Sequence, residues 1–135
     1  MSHQIKQLLK SFFWFGLVGF SAMMVHFYTV VVIFIPFGIH PLIANTLGFL
    51  IAFIISYFGH ARLTFHTPNN KNIKSMLRFL GVATLGFLMN QIIFYTLLSY
   101  SKLGIDISLA ITLILVSGST YLLSRFWAFK IVGND

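Results

Sequence analysis

Charged residues are scarce in this chain, and cysteine is absent. Only 8% of its 135 residues are charged, against about a quarter in a typical soluble domain, while 58% are hydrophobic. A chain of this composition cannot build an ordinary water-facing surface. The absence of cysteine excludes disulfides, thiolate metal sites and a thiol nucleophile.

Acidic residues are scarcer still, since Asp106 and Asp135 are the only two. Paired carboxylates for general acid and base catalysis are therefore missing. No serine lies in a nucleophile elbow, and the histidines do not converge at metal-ligand spacing. These histidines are His3, His26, His40, His60 and His66. We expect no enzymatic activity, no metal and no cofactor.

Long uncharged runs are what the chain has instead. No charged residue occurs from Ser11 to Ala61, whereas about 20 apolar residues cross a hydrocarbon core about 30 Å thick. A second apolar stretch follows the first directly, so the first is expected to be a retained helix rather than a cleaved signal peptide. The sequence predicts four transmembrane helices, over Ser11–Ile35, Leu42–Phe65, Phe79–Ser101 and Ile107–Phe126.

Turn-forming and polar residues separate these spans. Pro36, Gly38 and Pro41 mark a tight turn after the first span, and Lys102 to Asp106 turn the chain after the third. Residues 67–77 form the polar loop between the second and third spans.

The Lys and Arg residues are distributed unevenly between the two sides of these spans. One side carries Lys6, Lys10, Arg62, Lys71, Lys74, Arg78, Arg125 and Lys130, and the other carries only Lys102. The positive-inside rule therefore predicts a multi-pass protein of the cytoplasmic (inner) membrane with both termini and the central loop in the cytoplasm. Membrane topology accounts for the net charge of +7 better than a nucleic-acid partner does.

The two halves of the chain match when it is shifted by 64 residues. Gly19, Ala22 and His26 then align with a small-small-polar series, Ala83, Gly86 and Asn90. We expect an all-α, polytopic membrane protein whose four transmembrane helices form two hairpin repeats of the same orientation. The single membrane domain of residues 1–135 would comprise repeat 1 at about 10–66, the loop 67–77 and repeat 2 at about 78–130.

Several short motifs occur in the same order in both halves. The first half contains Phe15-x-x-x-Gly19, His26, Ala44-Asn45 and Ser56-Tyr57-x-x-His60-x-Arg62-x-Thr64-Phe65. The second half contains Arg78-Phe79, Asn90 and Tyr121-x-x-Ser124-Arg125-x-Trp127-x-Phe129. Taken together, from about Lys10 to Phe129, this pattern resembles the GtrA-like family of four-helix membrane proteins.

The resemblance implies a role in cell-surface polysaccharide or teichoic-acid synthesis. It implies that the protein translocates (flips) a polyprenyl-phosphate-linked sugar across the membrane, or assists in this step. The expected partners are the lipid-linked sugar, membrane lipid, and either further copies of the chain or a membrane glycosyltransferase.

His26 and Asn90 are the polar side chains that the sequence places deep inside the spans. Counted from the predicted starts of their helices, both lie near mid-membrane. They either line a polar groove for the phosphate or sugar, or hydrogen-bond between helices as structural contacts. Asn45, in the family motif, joins them as a candidate substrate-binding residue.

Arg62 and Arg125 lie at the cytoplasmic ends of the second and fourth spans. A guanidinium is suited to phosphate oxygens, so the pair could hold a lipid-linked phosphodiester. The alternative is ordinary anchoring at the membrane interface, with Trp14 and Trp127 in an aromatic belt. The candidate substrate-binding residues at this end are Tyr57, His60, Arg62, Tyr121, Arg125 and Trp127.

Small residues recur on the first three spans. The stripe Ala44, Gly48, Ala52 and Ser56 repeats every four residues, as expected for helices in close contact. The same packing role is expected for Gly16, Gly19, Gly81 and Gly86.

Two other functions are compatible with four apolar helices. A small multidrug exporter also has four helices, but it needs a titratable group in the membrane, for which His26 is the remaining candidate. A membrane scaffold that docks a glycosyltransferase would tolerate replacement of Arg62 and Arg125 by lysine.

Overall fold

The computed structural model describes the backbone of residues 2–63 and 71–123. It also describes the side chains of these ranges, apart from residues 8, 11, 60–63, 71–76, 78, 79, 121 and 123. Four α-helices make up nearly all of this part, which contains no strand. They are α1, His3–Tyr28; α2, Pro41–Leu63; α3, Lys71–Tyr100; and α4, Ile105–Leu123. The expected all-α fold is confirmed.

Three of the helices are long and apolar enough to cross a membrane. These segments are His3–Phe34, Pro41–Gly59 and Leu80–Tyr100, and a shorter apolar helix follows over Ile105–Thr120. The protein is therefore a multi-pass membrane protein. The predicted fourth span extends to Phe126, and its last three residues lie outside the described part of the chain, so that span stays a prediction.

The helices begin earlier than hydropathy suggests. α1 starts at His3 rather than Ser11, and α3 starts at Lys71 rather than Phe79. Charge marks where the chain leaves the membrane, but lysine, glutamine and leucine are good helix formers, so the helix continues past that point. The loop assigned to residues 67–77 was thus too long, because residues 71–77 are helical.

A π-helical segment, Thr29–Phe34, continues α1 without a break. Its first five residues are all β-branched, and such side chains crowd their neighbours in a regular α-helix. Thr29 also donates its hydroxyl proton to the carbonyl oxygen of Val25, at 2.6 Å. The wider π turn therefore occurs where the α-helical spacing is least favourable.

The turn between α1 and α2 forms where Pro36, Gly38 and Pro41 predicted it. Gly38 adopts a positive φ of 77°, which a glycine takes without steric cost. Its N–H donates to the carbonyl oxygen of Ile35 at 2.9 Å. Pro41 then occupies the first position of α2, where the missing N–H of proline costs no hydrogen bond.

The chain divides into two compact units, Met1–Leu77 and Arg78–Asp135. In the first unit, small residues of α2 face α1. Ala44 and Ala52 are buried, and a Cβ atom added to Gly59 would lie 2.8 Å from Cγ1 of Val18. The burial of Ala44 and Ala52 agrees with the packing role expected for the stripe on α2.

The other glycines behave differently from one another. Gly16, Gly19 and Gly81 have no atom within 4 Å of an added Cβ, so the packing role expected for them was wrong for the described part of the chain. In the second unit, a Cβ on Gly86 would lie 3.3 Å from Cγ2 of Thr120. Gly86 is thus the glycine at which α3 packs against α4.

Candidate functional site

A hydrogen bond between two buried polar side chains joins α1 to α2. The Nε2 atom of His26 lies 2.8 Å from Oδ1 of Asn45. His26 is only 3% exposed and Asn45 is completely buried. Because an amide oxygen only accepts, Nε2 carries the ring proton and donates it to Asn45. Each residue therefore satisfies a polar group that would be costly to leave unpaired in a membrane.

The imidazole of His26 is closely surrounded. A Cβ atom on Gly48 would lie 2.9 Å from its Cδ2 and 3.4 Å from its Nε2. The same Cβ would lie 2.6 Å from Cγ2 of Val30, which is itself completely buried. The ring of Phe49 meets the imidazole edge to face, with centroids 6.5 Å apart. Glycine at position 48 therefore makes room for the histidine.

This buried pair lies nearer one end of the hairpin than its middle. Asn45 is four residues from Pro41 at the start of α2, or about 6 Å along the axis, but 18 residues and about 27 Å from Leu63. His26 is eight residues from Phe34, where the π-helical segment ends. The expected position of His26 near mid-membrane stays a prediction.

The 64-residue offset pairs His26 with Asn90 of the other half. Its hydrogen-bond partner in the structure is Asn45, and the sequence did not predict this pairing. A signal was available, because residues at equal distances from a tight turn lie opposite each other in a helical hairpin. The turn is centred on Phe37 and Gly38, so His26 lies opposite position 49, about one helical turn from Asn45. Asn45 is the completely buried polar side chain nearest to that position.

Three polar side chains are buried among the described residues of the second unit. Asn90 of α3 is 3% exposed, and Ser108 and Thr112 of α4 are completely buried. The hydroxyl of Thr112 donates to the backbone carbonyl of Ser108 at 2.7 Å. Among the described residues, the Oγ atom of Ser108 is the buried side-chain oxygen or nitrogen without a hydrogen-bond partner.

Burial in the two units follows the same pattern at the 64-residue offset. Six pairs of positions are buried in both, namely 22 and 86, 26 and 90, 30 and 94, 44 and 108, 45 and 109, and 48 and 112. The polar residues differ, since Leu109 replaces Asn45, and Ser108 and Thr112 replace Ala44 and Gly48. This pattern is what an internal repeat predicts, although the repeat itself stays a prediction.

The candidate residues at the opposite end of the hairpins are described only in part. The side chain of Tyr57 on α2 is half-buried, and its ring packs edge to face against Phe58, with centroids 5.6 Å apart. The backbone of His60 and Arg62 lies in the last turn of α2. The described residues do not include these two side chains, the side chain of Tyr121, or any part of Arg125 and Trp127. Their roles stay predictions.

Arg62 and the buried pair are far apart along α2. Seventeen residues separate Asn45 from Arg62, which is about 26 Å of helix axis. This distance approaches the thickness of a hydrocarbon core, about 30 Å. Asn45 and Arg62 therefore lie at opposite ends of α2.

Comparison with known proteins identifies the family. Residues 14–129 match the family model described as GtrA/DPMS, transmembrane domain. No curated protein and no solved structure matches the chain. The match covers most of the chain, including α1 from Trp14 onward and the whole of α2, α3 and α4, and it confirms the resemblance to the GtrA-like family. This is a membrane protein linked to glycan synthesis, and the chain belongs to the GtrA/DPMS transmembrane-domain family.

Proposed function

We propose that this protein translocates a polyprenyl-phosphate-linked sugar across the cytoplasmic membrane, or assists in that translocation, for cell-surface polysaccharide synthesis. The family match over residues 14–129 carries the proposal, because it includes both hairpins and the candidate polar residues within them. The role is non-enzymatic. A carrier needs polar contacts for the headgroup and a path for it, but it breaks no covalent bond.

The separation of the two groups of residues favours transport in two steps. Arg62 and Arg125 bind the phosphate at the cytoplasmic interface, where a planar guanidinium can donate two parallel hydrogen bonds. The sugar then reaches the region of His26 and Asn45, about 26 Å further along α2. No single headgroup spans that distance, so the contacts are made in sequence.

The hydrogen bond between His26 and Asn45 gives the second step a chemical basis. A sugar hydroxyl both donates and accepts, and it can therefore exchange partners with the imidazole N–H and the amide oxygen. Such an exchange leaves no polar group unpaired in the membrane interior, which keeps its free-energy cost low. Asn90, buried at the corresponding position of the second unit, contributes the equivalent contact.

The small size of the protein favours assembly with other subunits. Four helices enclose little space, so the path would be completed by further copies of this chain or by a membrane glycosyltransferase. By the positive-inside rule, the distribution of Lys and Arg predicts that both termini lie in the cytoplasm. This orientation directs Arg62 and Arg125 to the side on which lipid-linked sugars are made available.

A reconstituted transport assay with two classes of variant tests this mechanism. Purified protein in liposomes would be supplied with a fluorescent polyprenyl-phosphate-linked sugar, and its transbilayer movement followed with a membrane-impermeant quencher. Arg62→Lys together with Arg125→Lys should raise the substrate concentration that gives half-maximal rate. Asn45→Leu should lower the maximal rate. Lys102→Gln, on the opposite side, is the matched control and should change neither.

The assay also separates transport from scaffolding. A scaffold would copurify with a glycosyltransferase and would retain that association when both arginines are replaced by lysine. Transport equal to that of protein-free liposomes, with the association intact, would contradict the flippase and favour the scaffold. The exporter alternative depends on His26, because neither acidic residue lies inside a predicted span. Dye efflux driven by a pH gradient that persists in His26→Gln would remove this last candidate coupling group.

A further inference from the structure

The first helix extends beyond the membrane at its amino-terminal end. α1 and its π-helical continuation together comprise 32 residues, or about 48 Å, whereas the hydrocarbon core is about 30 Å thick. The uncharged run begins only at Ser11. Residues 3–10 of α1, here called the basic extension, therefore lie level with the lipid headgroups.

The basic extension is amphipathic. His3, Lys6 and Lys10 are spaced as i, i+3 and i+7, so they lie on one face of the helix, and all three are exposed. Ile5 and Leu9 lie on an adjacent face and are 46% and 56% exposed. A helix with one basic and one apolar face suits the boundary between headgroups and acyl chains.

The lysines of the basic extension have no acidic partner in their own unit. The two acidic residues of the chain are Asp106 and Asp135, and both belong to the second unit. Nine Lys and Arg residues therefore compete for two carboxylates. The negative charge opposite Lys6 and Lys10 must come from outside the first unit.

We propose that the basic extension binds anionic phospholipids of the cytoplasmic leaflet. Lys6 and Lys10 contact the phosphates of the headgroups, and the exposed side chain of Leu9, next to the uncharged run, packs against the upper ends of the acyl chains. Lipid fits this surface better than an acidic protein segment does, because Lys10 directly adjoins the uncharged run and the exposed apolar side chains continue into the membrane. Each lysine near an anionic surface raises the affinity for that surface on the order of fivefold.

Trp14, one helical turn beyond Lys10, is a built-in reporter for this site. Replacing Trp127 with phenylalanine leaves Trp14 as the single tryptophan of the chain. The Trp127→Phe protein would be placed in mixed vesicles of phosphatidylcholine and phosphatidylglycerol, with one or the other lipid brominated in its acyl chains. Fluorescence quenching then measures which lipid lies next to Trp14.

Quenching of Trp14 fluorescence by brominated phosphatidylglycerol should correspond to a local fraction of this lipid on the order of five times its bulk fraction. Added salt should reduce this enrichment. Lys6→Gln with Lys10→Gln should bring quenching by the two lipids to near equality. Lys102→Gln, the same change at an exposed lysine after the third span, should leave the enrichment intact. Equal quenching by both lipids in the Trp127→Phe protein would overturn the proposal. Unchanged enrichment in the double lysine variant, or its loss on Lys102→Gln, would overturn it too.

Discussion

Replacing Gly48 with alanine should disturb the contact between α1 and α2 at its polar centre. The added Cβ would lie 2.6 Å from Cγ2 of Val30 and 2.9 Å from Cδ2 of His26. Neither neighbour can move easily. Val30 is completely buried and is stiff at χ1, and the imidazole is fixed by its hydrogen bond to Asn45.

The expected magnitude follows from two opposing effects. Overpacking a close contact costs about 1–3 kcal/mol, whereas alanine in place of glycine stabilises a helix by about 1 kcal/mol. Gly19→Ala is the matched control, since an added Cβ there meets nothing within 4 Å. The free energy of unfolding of Gly48→Ala should therefore fall about 1–3 kcal/mol below that of Gly19→Ala.

Unfolding in mixed micelles, followed by circular dichroism as a denaturing detergent is added, measures this difference. Val30→Ala removes the atom that the new Cβ would strike. In a double-mutant cycle, Val30→Ala should therefore cost less stability in the Gly48→Ala protein than in the wild type. Equal stability of Gly48→Ala and Gly19→Ala, or strict additivity in the cycle, would refute the close approach at Gly48.

Two further substitutions test the buried polar groups by the same measurement. Asn45→Leu should lower stability by about 0.6–2 kcal/mol because it leaves the ring N–H of His26 unpaired, and His26→Leu with Asn45→Leu should cost less than the sum of the two single changes. Additive costs would show that the two side chains do not interact. Ser108→Ala should change stability by less than about 1 kcal/mol, since the Oγ atom has no partner to lose. A larger loss would mean that this hydroxyl bonds to a group such as an ordered water.

Hydrophobic run length and turn residues were sufficient to predict the helices and the first hairpin. Pro36, Gly38 and Pro41 indicated the turn because glycine alone takes the positive φ that closes it. The starts of α1 and α3 were not predictable in this way. Hydropathy reports the edge of the membrane, whereas the end of a helix depends on local propensity, which lysine and glutamine satisfy.

The roles of individual glycines could not be read from composition. Gly48 and Gly16 are both glycines on apolar helices, yet one faces the imidazole of His26 and the other has open space around it. The four-residue period of the stripe on α2 was the informative feature, because it keeps small residues on one face over several turns. Gly16 and Gly19 have no such continuation.

The candidate site was predicted in its residue types but not in its arrangement. His26 and Asn45 were both identified, but their pairing depends on how the hairpin turn aligns the two helices. The π-helical segment Thr29–Phe34 alters that alignment, and neither a proline nor a glycine within it indicated its presence. Asn45 and Arg62 both lie in the predicted second span, so their separation of about 26 Å along the helix could be estimated from the sequence.

Transbilayer movement of a polyprenyl-phosphate-linked sugar in liposomes that contain only this protein tests the central claim most directly. The proposed function predicts that the fraction of fluorescent lipid-linked sugar reaching the opposite leaflet rises with the number of protein molecules per vesicle. If a membrane glycosyltransferase completes the path, the rise should appear once that enzyme is added. Movement equal to that in protein-free liposomes at every protein density, and unchanged on adding the glycosyltransferase, would contradict it.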